Sequence, residues 1–254
     1  MSRSSRPDAG GSPGEGLTGS YTSGTPRLDR VYQDSQARAG VTGQPEVTSP
    51  IRVLADRHGR IATDLRVSLT DRCNLRCTYC DTTYAFTEGT QYTVKNIIDE
   101  VVALGNNIVE ITGGEPLYQN NTGALCNELL HQGFTVLVET NGSYDISAIS
   151  ERCHRIIDVK CPGSGMCGSF LEKNFDILTH NDELKFVISD KTDFDWALLE
   201  VTTRKLYNKA TILFSPNMNR IKPADLAAWI VDQNAPVRLG IQLHKVIWGD
   251  KRGV

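Results

Sequence analysis

The chain has 254 residues, enough for one large α/β domain and cramped for two. Lys and Arg total 27 against 30 Asp and Glu, a net charge of −3, which gives no electrostatic case for nucleic acid or an anionic membrane as partner. No apolar run is long enough to span a bilayer, the N-terminus lacks the apolar core of a secretory signal, and the 7 cysteines are odd in number, so a reduced, cytoplasmic chain is expected.

Residues 1–50 are rich in Gly, Ser, Thr and Pro and show no period of 2 or 3.6, which predicts a disordered tail ahead of a core domain over 51–254. Leu65, Val67 and Leu69 then alternate as a strand leading into Asp71-Arg-Cys-Asn-Leu-Arg-Cys-Thr-Tyr-Cys-Asp-Thr82. Cys73, Cys77 and Cys80 are close enough there to grip one metal centre. A [4Fe–4S] cluster held by only three thiolates keeps one iron open for another molecule. A zinc site would want a fourth Cys or His, and the nearest His, His58, lies upstream of the loop. Cys126 and Cys153 read as buried small hydrophobes, while Cys161 and Cys167 flank a Gly-rich loop.

Thr93 can cap a helix whose apolar face is Val94, Ile97, Ile98, Val101 and Leu104, with Gly105 as its stop. Strands follow at Asn107 to Ile111, Phe134 to Glu139, Arg155 to Val159, Glu183 to Ile188, Ala210 to Phe214 and Val237 to Leu243. Helices are expected between them at Ala124 to His131, Ile146 to Arg152, Phe194 to Leu206 and Ala224 to Asp232. Repeated strand–helix units predict an α/β fold, a partial (βα) barrel of parallel strands with helices outside. The strand ends carry the polar residues: the cysteine loop, Thr112-Gly-Gly-Glu115, Glu139 to Asn141, Lys160, Ser215 to Asn217 and His244. Barrel enzymes build their sites at that face.

Cys73-x-x-x-Cys77-x-Tyr79-Cys80 resembles the signature of the radical S-adenosylmethionine (SAM) enzymes, and Thr112-Gly-Gly-Glu-Pro116 resembles their SAM-amine site. The resemblance implies that the open iron chelates SAM and that one electron from the cluster releases a 5′-deoxyadenosyl radical. It also implies an external electron donor such as flavodoxin or ferredoxin.

From Asp81 to Val254 the chain closely resembles the 7-carboxy-7-deazaguanine synthases. The resemblance rests on Cys80-Asp-Thr-Thr-Tyr-Ala-Phe86, Glu139-Thr-Asn-Gly142, Asp158-Val-Lys-Cys-Pro-Gly-Ser-Gly-Met166, Phe214-Ser-Pro-Asn217 and the ending Gln242-Leu-His-Lys245 to Val254. It implies a homodimer that contracts the ring of 6-carboxy-5,6,7,8-tetrahydropterin with loss of ammonia, using SAM catalytically. Position by position, it implies Thr82 as a Mg²⁺ ligand. Tyr79, Gly113, Gly114, Glu115, Asp158, Val159, Lys160, Ser215, Pro216 and Asn217 would hold SAM. Thr112, Asn141, His244 and the Val254 carboxylate would lie at the substrate.

Such a synthase carries Gln-Gly-Glu-Gly on its first strand and an Arg four residues before the first cluster Cys. Here position 69 is Leu, and Pro13-Gly-Glu-Gly16 echoes the first motif only far upstream, which reads as chance. Asp56-Arg-His-Gly-Arg60 and the run from Asp64 to Cys80 instead resemble the N-terminus of the GTP 3′,8-cyclases of molybdenum cofactor synthesis, where Arg66 would meet the triphosphate. The second three-Cys site of that family is missing. Three readings follow: a synthase with weakened pterin binding, a cyclase-like enzyme, or an inactive SAM- and Fe–S-binding protein.

Overall fold

The computed structural model describes residues 17–19, 54–56, 58–70, 72–80 and 90–249. Within them, β2 (Asp64–Thr70), β4 (Ile108–Gly113), β5 (Thr135–Thr140), β6 (His154–Val159), β7 (Glu183–Ile188), β8 (Thr211–Pro216) and β9 (Arg238–Leu239) form one 7-stranded sheet in sequential order, every neighbouring pair parallel. The helices α1 (Val94–Leu104), α2 (Thr122–His131), α3 (Lys191–Thr203) and α4 (Pro223–Asp232) lie between the strands in sequence, the βα repeat the pattern predicts.

Burial alternates along β5, β6 and β7 with period two. Val136, Val138, Ile157, Val159, Leu184, Phe186, Ile212 and Phe214 are buried and share two apolar clusters with residues of α1 to α4. Leu137, Glu139, Ile156, Asp158, Lys185 and Val187 are half-buried on the opposite, polar-lined face. A parallel sheet normally has both faces covered. Here one face carries polar side chains and remains partly open, as in a partial barrel.

The local signals were strong where the structure agrees. Thr93 caps α1 by accepting from the Asn96 amide, and Gly105 closes it in the left-handed region at φ 67°. Ile97, Ile98 and Val101 form its buried face. Three expectations change. The short helix near Ile146 is a 3-10 turn over Ile146–Ala148. The last strand is only Arg238–Leu239, and α5 (Leu243–Trp248) follows it, so His244 falls in a helix rather than at a strand end. Within the segment read as a tail, β1 (Leu17–Gly19) pairs antiparallel with β3 (Thr90–Tyr92). The Pro13 to Gly16 echo just before β1 lies outside the described residues. Asp56 closes a tight turn by accepting from the amides of His58 and Arg60, so that Ala55 bridges Ile61.

Because the strands are parallel, their C-terminal ends share one edge. That edge carries the cysteine loop after β2, Gly114 and Glu115 after β4, Asn141 after β5, Lys160 after β6 and Asn217 after β8.

Candidate active site

The cysteine loop is sewn to the end of β4. Gly114 N donates to Thr70 O at 2.5 Å, and Glu115 N to Arg72 O at 2.9 Å. Gly113 has φ +126°, and a Cβ there would stand 2.2 Å from Thr70 O, so this approach requires glycine. Leu75 is buried and anchors the middle of the loop. Cys73 Sγ accepts from Leu75 N at 3.4 Å and from Asn141 Nδ2 at 3.6 Å. Asn141 also donates to Asn74 Oδ1, and Asn74 donates to Ser143 Oγ. Cys80 N donates to Cys77 O at 3.1 Å.

Burial raises the Cys77 thiol, Lys160 lowers it, and Asp158, Cys73 and Cys80 raise it further, so three sulfurs and an ammonium share one space. Among the described residues no three His, Cys, Asp or Glu side chains converge on a single-ion position. A cluster, whose thiolates bind separate irons, tolerates wider spacing, and three thiol donors fit it.

Beside the loop lies a second group of atoms. Lys160 Nζ is 2.9 Å from Asp158 Oδ2 and 5.6 Å from the centroid of the Tyr79 ring. Burial alone would lower the Lys160 pKa, but Asp158 with Tyr79 and Cys77 raises it, so the ammonium stays charged. Burial, with Asp158 next, pushes the Tyr79 phenol up. Tyr79 Oη and Asp158 Oδ1 are both buried without a hydrogen-bond partner. Unpartnered buried polar atoms are costly in an interior, and two in one place mark where a polar ligand fits. The residues present therefore suit SAM.

Glu115 is fully buried, Oε1 accepts from Leu117 N at 3.0 Å and Thr140 Oγ1 at 2.7 Å, and Oε2 accepts from Asn141 N at 2.7 Å. Burial still raises its pKa above the usual range. This carboxylate ties the end of β4 to the end of β5, and with three donors on about four lone-pair sites it keeps acceptor capacity to spare.

The open face of the sheet carries a third group. Arg66 Nη2 lies 2.7 Å from Glu139 Oε2, 3.3 Å from Thr112 Oγ1 and 3.6 Å from Glu110 Oε1, and Thr112 Oγ1 donates to Glu139 at 2.7 Å. Burial raises the Glu110 pKa, Arg66 lowers it and Glu139 raises it. Leu69, where an Arg would be expected in a synthase, is 1% exposed and packs in the α1–α2 cluster.

The structure thus brings together Cys73, Cys77, Cys80, Tyr79, Gly113, Gly114, Asp158, Lys160 and Asn141, while Thr112 stands with Arg66 and Glu139 on the open face. Val159 is buried in the core beneath them. Ser215, Pro216 and Asn217 end β8, where Asn217 N donates to Ile188 O at 2.8 Å and its amide to Ser189 Oγ at 3.1 Å. Thr82 and Val254 lie outside the described residues. Glu110 and Ser143 were missed by sequence reasoning. For Glu110 the signal existed, since it stands at an alternate position two residues before Thr112.

Fold and loop together define a radical SAM protein, and residues 67–161 match the model of the Radical SAM superfamily. A 7-carboxy-7-deazaguanine synthase from Koribacter versatilis is 40% identical over 237 residues, covering 87% of this chain and 96% of that protein. Another, from Chlorobaculum tepidum, is 38% identical over 186 residues, covering 72% and 84%. The chain belongs to the 7-carboxy-7-deazaguanine synthase family. A match over 87% of the chain reaches upstream of residue 81, so the relationship is not confined to residues 81–254. A GTP 3′,8-cyclase from Corynebacterium glutamicum is 53% identical over 77 residues, 28% of this chain and 20% of that protein. Among solved structures, QueE from Escherichia coli superposes with a TM-score of 0.56 at 17% identity, covering 70% of this chain and 84% of that one. SAM-bound SuiB from Streptococcus suis gives 0.52 at 15%, covering 71% and 50%. At such identities these two speak for the fold alone.

Proposed function

We propose that the chain converts 6-carboxy-5,6,7,8-tetrahydropterin to 7-carboxy-7-deazaguanine, with a [4Fe–4S] cluster on Cys73, Cys77 and Cys80, SAM beside it and Mg²⁺ at Thr82. The observation that carries this reading is the pair of unpartnered buried atoms, Tyr79 Oη and Asp158 Oδ1, next to a charged Lys160 and the three-cysteine loop. Cluster and SAM, when bound, supply the one-electron chemistry that removes a hydrogen atom from the substrate. The protein's part is placement. Gly113 and Gly114 let backbone approach the ligand, and Tyr79, Asp158, Lys160 and Ser215 to Asn217 hold SAM against the loop. Glu115 positions Asn141 and the glycines. Thr112 and Asn141, from neighbouring strand ends, meet the substrate, with His244 and the Val254 carboxylate completing its pocket. An external flavodoxin or ferredoxin delivers the electron, and the working form is a homodimer in the cytoplasm.

The test is anaerobic reconstitution followed by product analysis by mass spectrometry with SAM, a reductant and either carboxytetrahydropterin or GTP. The expected result is 7-carboxy-7-deazaguanine from the pterin and no cyclised product from GTP. A Cys77→Ala protein that kept its cluster and still cleaved SAM would sink the assignment.

A further inference from the structure

The cysteine loop is held from two sides. Upstream, Cys73 is tied to the ends of β4 and β5 as described. Downstream, Thr78, between Cys77 and Tyr79, donates its amide to Ser164 O at 3.0 Å and its hydroxyl to Gly163 O at 2.9 Å. The turn that accepts these bonds, Pro162–Ser164, is itself fixed from α3. Asp193, in the first turn of that helix, accepts from Gly163 N at 2.7 Å through Oδ1 and from Ser189 N at 3.0 Å through Oδ2. Its residue is 1% exposed. A Cβ at Gly163 would stand 2.5 Å from Asp193 Oδ2, so the turn reaches the carboxylate only because position 163 has no side chain. Hydrogen bonds from backbone amides to an ionised carboxylate are short and strong. The first turn of a helix also favours the negative charge.

We propose that Asp193, acting through Gly163 and Thr78, is a positioning residue that fixes the Cys77 to Cys80 half of the loop for its cluster. The chain of contacts runs from carboxylate to Gly163 amide, across the Gly163 Cα to its carbonyl, and from there to the Thr78 hydroxyl between two ligands. The inference rests on the reading of Cys73, Cys77 and Cys80 as cluster ligands. It adds a residue more than a hundred positions downstream to what keeps the cluster in place.

The experiment compares the parent chain with Thr78→Val, Thr78→Ser, Asp193→Asn and the Thr78→Val/Asp193→Asn double variant, each reconstituted anaerobically. Iron and sulfide are assayed, and cluster loss to a ferrous chelator is followed by visible absorbance. Thr78 is exposed, so Thr78→Val leaves the core intact whatever Asp193→Asn does to folding. Thr78→Val and Asp193→Asn should each lose the cluster about five- to tenfold faster than the parent, the worth of one hydrogen bond. Thr78→Ser, which keeps the hydroxyl, should hold it at the parent rate. Because the two residues act in series, the double variant should lose it no faster than the more labile single. Loss from Thr78→Val at the parent rate, or multiplying effects in the double variant, would overturn the proposal while leaving the cluster assignment standing. A parent chain that takes up no iron would overturn the cluster assignment itself, and the proposal with it.

Discussion

Glu115 and Glu110 are both acids whose pKa burial raises, yet they do opposite things with their oxygens. Glu115 accepts three protein donors, so Glu115→Gln would turn an amide N–H₂ toward a backbone or hydroxyl donor and leave at least one buried group unpaired. The expected cost is about 2 to 3 kcal/mol in denaturant unfolding, the penalty for a buried polar group left unsatisfied. Glu110 is half-buried and faces Arg66 and Glu139 across the open sheet face. Burial holds its folded pKa above the usual glutamate value, so the native state binds more protons than the unfolded chain just above that value. The stability that this proton contributes is complete at low pH and is lost as pH rises through the raised value. Glu110→Gln should flatten that fall in Tm as pH rises above the usual glutamate value. An unchanged slope in thermal melts across that range would show that Glu110 does not titrate there.

At the scale of elements, β2 decides how the atypical strand before the cluster is to be read. Arg66 and Ser68 alternate with Val67 and Leu69, and the latter two are buried in the cluster shared with α1 and α2. An arginine placed at 69 would therefore enter the core rather than the open face. Leu69→Arg is expected to cost about 3 to 5 kcal/mol, as an uncompensated buried charge does. It should not raise carboxypterin turnover. A stable Leu69→Arg protein with improved turnover would show that β2 can shift its register. The caps of α1 and the period of β5 to β7 were readable because they are local: a Thr, a Gly and an alternation act within one element. The end of the sheet was not. Val237, Leu239, Ile241 and Leu243 alternate as a long strand would, but among the described residues β9 pairs with Leu213 and Phe214 of β8 alone, and as an edge strand it has no second neighbour there to extend it. β1 and β3 are each 3 residues long, too short for any period to show. The Asp193 brace was equally hidden, since no spacing in the sequence links residue 78 to residue 193.

For the whole molecule, the motifs gave the order of the strand-end residues around the sheet edge, from the cysteine loop to Thr112-Gly-Gly-Glu115, Asn141, Lys160 and Asn217, while their burial was set by the packing of the sheet. The same burial bears on the similarity to the cyclases, whose second three-Cys site is missing from this chain. Cys126, Cys153 and Cys161 are fully buried in the two apolar clusters, and Cys167 is exposed on the loop after β6. None of the four stands with two other cysteines in the way that Cys73, Cys77 and Cys80 do. Anaerobic reconstitution should therefore give about four irons and four sulfides per chain, the content of one cubane. Cys161→Ala, which removes a buried thiol of the core, should leave that content unchanged, whereas Cys77→Ala should abolish stable uptake. About eight irons per chain, or iron lost on replacing Cys161, would mean a second centre and would move the chain toward the cyclases. With one cluster, the chain should cleave SAM in the presence of carboxypterin and yield no cyclised nucleotide from GTP.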